Sequence, residues 1–142
     1  MSYQKRYSVL LCTDEPTRAV GFRLCFDAHP EFMTLPHVND AKHLTDLMAS
    51  TFPHVVVLHG RAHTAKRVLA SLKSLNLETK VVLWPGDLPA RESEKVASGG
   101  LAAVLKKNVE PEDLVSLIRS VARGEAIAGV ESYGLEQGAS AR

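Results

Sequence analysis

The chain has 142 residues, 45% of them hydrophobic, and a formal net charge of +1. That length supports one hydrophobic core and leaves no room for a second domain of ordinary size. Lys and Arg are scattered rather than massed and no stretch reaches membrane-spanning length, so neither a broad nucleic-acid surface nor a membrane span is expected.

The start, Met1 to Tyr7, is polar and basic with no apolar signal region behind it, which predicts a cytoplasmic protein. Cys12 and Cys25 have neither metal spacing nor a disulfide framework and read as small buried hydrophobes. Tyr7 to Cys12 is a first buried strand, and Thr13-Asp14-Glu15-Pro16 is a polar break with a proline suited to a helix start. Helix one runs to about His29, with Val20, Phe22, Leu24, Cys25 and Phe26 as one broad inward face. His29-Pro30 stops it. Phe32 to Leu35 is a short edge strand, weakened by Pro36. Asn39 or Asp40 caps a second helix running through Ser50 on Leu44, Leu47 and Met48.

Val55 to Leu58 is an unbroken apolar run suited to a strand buried on both faces, and His59 closes it. Ala62 to Leu75 is helical, with Val68, Leu69, Leu72 and Leu75 inward and Lys66, Arg67 and Lys73 outward. Lys80 to Trp84 is a fourth strand, ended by the turn tripeptide Pro85-Gly86-Asp87. A polar, loosely anchored helix is expected over Pro89 to Ser98, and Gly99-Gly100 breaks it. Leu101 to Leu105 is a fifth strand closed by Lys106-Lys107-Asn108. Glu110-Pro111-Glu112-Asp113 opens a last helix with the proline and acids its dipole favours, on a stripe of Leu114, Leu117, Ile118 and Val121. Past about Ile127 the periodicity ends, so residues 1–126 are expected to form the domain and 127–142 a flexible tail, with no output domain. Five alternations of strand and helix give a doubly wound α/β fold with a parallel sheet and helices on both faces.

Several local runs resemble the receiver domain of bacterial two-component response regulators, particularly those joined to a LuxR-type helix-turn-helix. They are Val9-Leu10-Leu11, Pro16 and Gly21, Pro53 with Val55-Val56-Val57-Leu58, and Leu105-Lys106-Lys107 followed by Pro111-Glu112-Asp113-Leu114. Arg119, Val121 and Gly124-Glu125 continue the likeness. The resemblance implies a flavodoxin-like (CheY-like) three-layer sandwich with strand order 2-1-3-4-5. It also implies a pocket in which an aspartate ending strand three is phosphorylated beside Mg²⁺, a hydroxyl residue and a lysine.

On that pattern the acceptor falls on His59, the acidic pair on Thr13 and Asp14, the hydroxyl on Pro85, the switch aromatic on Val104 and the lysine on Lys107. One carboxylate beside a lysine and a histidine does not suit Mg²⁺, and an acyl phosphate needs a carboxylate nucleophile. The expectation is a pseudo-receiver with no enzyme activity, no cofactor, and Lys107 paired to Asp14. Two other readings stay open. One is a phosphorelay receiver using His59 or Asp87 as acceptor. The other is a small-ligand sensor at the strand ends beside Lys107 and Arg61. His59 with His63 and His54 is a further candidate as a metal site, against the plainer reading of His59 as a neutral imidazole bonded to Asp14 or backbone. For contacts, the sequence offers Trp84 and, on the last helix, Val115, Arg119, Ala122 and Arg123. These suggest a protein partner or homodimer through that helix, without direct nucleic-acid binding and without a membrane.

Overall fold

The computed structural model describes residues 6–60, 62–85, 101–106 and 108–125, with the backbone alone at 62–65. Its strands are β1 (Tyr7–Cys12), β2 (Phe32–Thr34), β3 (Val55–Gly60), β4 (Lys80–Pro85) and β5 (Ala103–Val104). The helices are α1 (Pro16–Asp27), α2 (Ala41–Thr51), α3 (Ala62–Leu75) and α4 (Pro111–Ala122). The strands form one sheet in the order β2-β1-β3-β4-β5, and all four pairings are parallel. This is the doubly wound order that the resemblance implies.

Strand alternation sorts the side chains onto two faces. Val9, Leu11, Val55, Val57, Val82, Trp84, Ala103 and Leu105 share one cluster with Phe22 and Phe26 of α1 and Leu114, Ile118 and Val121 of α4. Leu10, Cys12, Val56, Leu58, Val81, Leu83 and Val104 share the other with Leu44 and Met48 of α2 and Val68 and Leu72 of α3. Both faces of the central strands are therefore covered, which is why Val55 to Leu58 read as a continuous apolar run.

Helix ends follow local chemistry. Asp40 alone caps α2, accepting the His43 N–H at 2.8 Å. Phe52 ends α2 and Asn76 follows α3, both with positive φ, 48° and 56°. That is the left-handed C-terminal stop more often made by glycine or asparagine. Gly124 (φ 73°) does the same after α4.

Several expectations are corrected. In α1, Val20 and Leu24 are 59% and 67% exposed, and the buried positions are Ala19, Phe22 and Phe26. A 100° step per residue sets Val20 and Leu24 opposite Phe22 and Phe26. That helix also ends at Asp27 rather than His29. β3 runs on through His59 to Gly60, and β4 includes Pro85, which is buried and in register with Gly60 rather than opening a turn. β5 is two residues long, although Ala102 N–H and Leu105 N–H still bond to Val81 and Leu83 carbonyls on β4. Cys12 is buried as expected, whereas Cys25 is half-buried. The expected helix over Pro89 to Ser98 and the tail lie outside the described residues.

Candidate functional site

In an open parallel sheet the crevice beyond the carboxyl ends of the strands is the natural place for ligands. Here β1 delivers Thr13 and Asp14, β3 delivers His59, and β4 delivers Trp84 and Pro85. His59 and Trp84 are register partners on adjacent strands. The imidazole meets the indole edge-on, with ring centroids 5.2 Å apart and planes at 75°.

The His59 side chain is 5% exposed. Its Nδ1 lies 3.1 Å from Thr13 Oγ1, a contact that serves either ring tautomer, and the same Oγ1 accepts the Glu15 N–H at 3.1 Å. Thr13 is itself buried, and its backbone N–H bonds the Val38 carbonyl at 2.9 Å. The hydroxyl thus joins strand end, helix start and imidazole. Glu15 Oε2 stands 4.0 Å from His59 Nδ1, and Glu15 Oε1 stands 3.7 Å from the Arg18 guanidinium. Arg18 lies over the Trp84 ring with its Cζ 4.9 Å from the centroid, a cation–π contact. Its Nε is buried there without a hydrogen-bond partner. Thr13, His59, Trp84, Arg18 and Glu15 therefore close on one another as a ring of contacts.

Sequence reasoning finds three of these five and misses Glu15 and Arg18. Their opposite charges at i and i+3 signal a local pair, but nothing in the spacing says that Arg18 reaches Trp84. Asp14 is exposed at this end of the sheet. The Cys12 thiol beneath is pushed up to about 11, first by burial and then by the negative charges of Asp40 and Asp14. Asp40 is committed to capping α2, and its carboxyl is held below the usual range by the His43 backbone N–H and then the His43 ring.

The other predicted positions scatter. Val104 is buried on the opposite face of the sheet, in the cluster that includes residues of α2 and α3. Trp84 is 6% exposed, so it packs in the core and is no exposed anchor. Val115 is 3% exposed and only widens the buried stripe of α4. Arg119 is held by Glu31 at 2.6 Å, Ala122 is half-buried and Arg123 is exposed. The interaction face expected on the last helix thus loses its apolar centre. His54 sits before β3, with its Nδ1 accepting the Ser8 backbone N–H at 3.1 Å, at the opposite end of the strand from His59, so the two do not share a metal site. Lys107, Arg61 and Asp87 lie outside the described residues, as does the side chain of His63. Among the described residues no three His, Cys, Asp or Glu side chains converge on a metal position, and no helix is long and apolar enough to cross a membrane.

No family model matches the chain. A transcriptional regulatory protein of Bacillus subtilis, YxjL, is 27% identical over 125 residues, which is 84% of this chain. The match spans 56% of that relative's length. Among solved structures, the receiver domain of the response regulator NarL of Mycobacterium tuberculosis superposes with a TM-score of 0.75 at 20% identity, covering 85% of this chain and 99% of that one. A DNA-binding response regulator of the LuxR family from Staphylococcus aureus gives 0.73 at 22% identity, covering 82% of this chain and 98% of that one. The fold is the receiver fold. One expectation is overturned: the absence of nucleic-acid binding does not stand, because these similar proteins are named as DNA-binding or transcriptional regulators and this chain spans only part of YxjL.

Proposed function

We propose that the chain is a cytoplasmic receiver domain of LuxR/NarL type, serving two-component signalling and transcription, in which the phosphorylation step has been lost. The observation that carries this reading is His59: it lies next to the last residue of β3, where the resemblance puts the acceptor aspartate, and its side chain is 5% exposed and bonded to Thr13. An imidazole cannot form an acyl phosphate. Attack by its Nδ1 would have to break the 3.1 Å contact with Thr13, and the Glu15 carboxylate, 4.0 Å from that nitrogen, would repel an incoming phosphoryl group.

The donor set does not suit Mg²⁺ either. That cation takes hard oxygen ligands in near-octahedral geometry, and here an imidazole and a neutral hydroxyl stand where carboxylates would be. Pro85 brings no hydroxyl and is fixed at the end of β4. Such a domain has no enzymatic step of its own; it holds one conformation and acts by what it binds. The S. aureus and B. subtilis similarities support a role beside a DNA-binding unit.

The test is incubation with acetyl phosphate and Mg²⁺, followed by intact-mass measurement, with an aspartate-bearing receiver in the same tube as a positive control. The expected outcome is no phosphoryl adduct on this chain. An acid-labile adduct mapped to His59, or an acyl phosphate at Asp87, would overturn the reading in favour of a working relay.

A further inference from the structure

The amino end of the sheet, opposite the His59 site, carries two grooves that share one wall, the segment Leu77-Glu78-Thr79-Lys80. The first, of ≈ 430 Å³, lies against Phe52, Pro53 and His54. The second, of ≈ 600 Å³, lies against Leu69, Leu72 and Lys73 of α3. The shared wall is held in place from both sides. Thr79 Oγ1 donates to the Pro53 carbonyl at 2.6 Å, Lys80 N–H to the His54 carbonyl at 3.0 Å, and Leu77 N–H to the Leu72 carbonyl at 2.9 Å. Glu78 and Lys80 flank that threonine, and both are exposed.

Phe52 is 64% exposed and takes φ 48°, a left-handed conformation that a bulky residue adopts only at a cost. Leu75, the last residue of α3, is 46% exposed just before Asn76, which lines the first groove. An aromatic ring and a leucine thus stand in solvent where α2 and α3 end, beside grooves with largely apolar walls, as they do where another molecule is received.

The charges choose the occupant. A surface of one sign would be repelled by either Glu78 or Lys80. A second copy of the chain, related by a two-fold axis, offers the two signs in reversed order, so an axis passing beside Thr79 sets each Glu78 against the other copy's Lys80. Because Thr79 is bonded to Pro53, the same axis carries the neighbouring Phe52 ring into the contact.

We propose that this amino-end face is the contact between two copies of the chain, with Glu78 of each paired to Lys80 of the other and Phe52 covered between them. Lys73, which lines only the second groove, takes no part in the pairing. The contact leaves the carboxyl ends of the strands open, so it goes beyond the signalling role above and does not depend on the chemistry of His59.

Sedimentation equilibrium of the intact chain over a range of concentrations tests it, and a reversible monomer–dimer equilibrium is expected. E78K makes the charge pair wholly basic and K80E makes it wholly acidic. Each variant alone should therefore lose the dimer, and an equimolar mixture of the two should regain it as a heterodimer. F52A should weaken the dimer by about tenfold or more with its circular dichroism unchanged. L24K, on the exposed face of α1, should leave it as in the parent chain. A chain that stays monomeric at every concentration would overturn the proposal. So would a dimer that L24K breaks and F52A does not, or charge variants that dimerise alone or stay monomeric when mixed.

Discussion

His59 and Trp84 are cross-strand neighbours, so their chemistry is fixed by the sheet rather than by loops. That rigidity makes an imidazole hydrogen-bonded to Thr13 the resting content of the pocket, with Arg18 over the indole. The same strand end explains why Cys12 should be inert. Its thiol is pushed up to about 11 by burial and the nearby Asp40 and Asp14 charges, leaving almost no thiolate at neutral pH. A C25S variant should therefore ignore Ellman's reagent until denaturant is added; fast labelling of the folded variant would contradict the placement of Cys12. Glu31 offers a second check. The hydrogen bond from Arg119 is the main cause holding its carboxyl below the usual range. A lowered carboxylate contributes its stability above the ordinary value and loses it as the pH falls through the folded value. With both side chains about a third exposed or less, E31Q should cost roughly 0.5–1 kcal/mol in urea unfolding at neutral pH. In acid the two proteins should converge. Of these residue contacts, the strand-end place of His59 is legible in the sequence, because a parallel sheet gathers its carboxyl ends, and Thr13 and Asp14 join it through the resemblance. The sequence hides Arg18 on Trp84 and Ser8 on His54, because neither pair shares an element and no period relates them.

Helix α1 shows how element-level reading succeeds and fails. Pro16 and the His29-Pro30 stop frame it within two residues, since proline acts locally on its own backbone. The inward face misleads because five apolar residues between Val20 and Phe26 crowd the helix on all sides, and small Ala19 carries little weight beside large Leu24. The corrected face has a direct consequence. L24K should change stability by no more than about 0.5 kcal/mol, as surface substitutions do. F22A, removing a ring whose centroid lies 4.7 Å from that of Phe26, should cost about 3–5 kcal/mol. Thermal or urea unfolding distinguishes these at once, and comparable losses from both would restore the broader face. β5 falls short of its apolar run for a different reason. Among the described residues it lies at the sheet edge with one partner, and the backbone bonds from Ala102 and Leu105 show the ladder fading rather than absent.

At the scale of the molecule, the two-faced core is legible because alternation along buried strands and stripes on helices agree with each other. Strand order is not; it comes from the resemblance, since periodicity does not say which strands pair. The sheet order, the TM-scores of 0.73 to 0.75 and the covered lengths describe a receiver scaffold. On the function proposed above, this scaffold is blind to phosphate. A two-dimensional amide NMR spectrum of the labelled protein, titrated first with Mg²⁺ and then with Mg²⁺ and beryllofluoride, a mimic of the phosphoryl group, tests this. The signals of Thr13, Asp14, His59 and Trp84 are expected to stay in place through both additions. Saturable shifts that begin at those residues and spread to Val104 and α4 would show a working phosphate switch and contradict it.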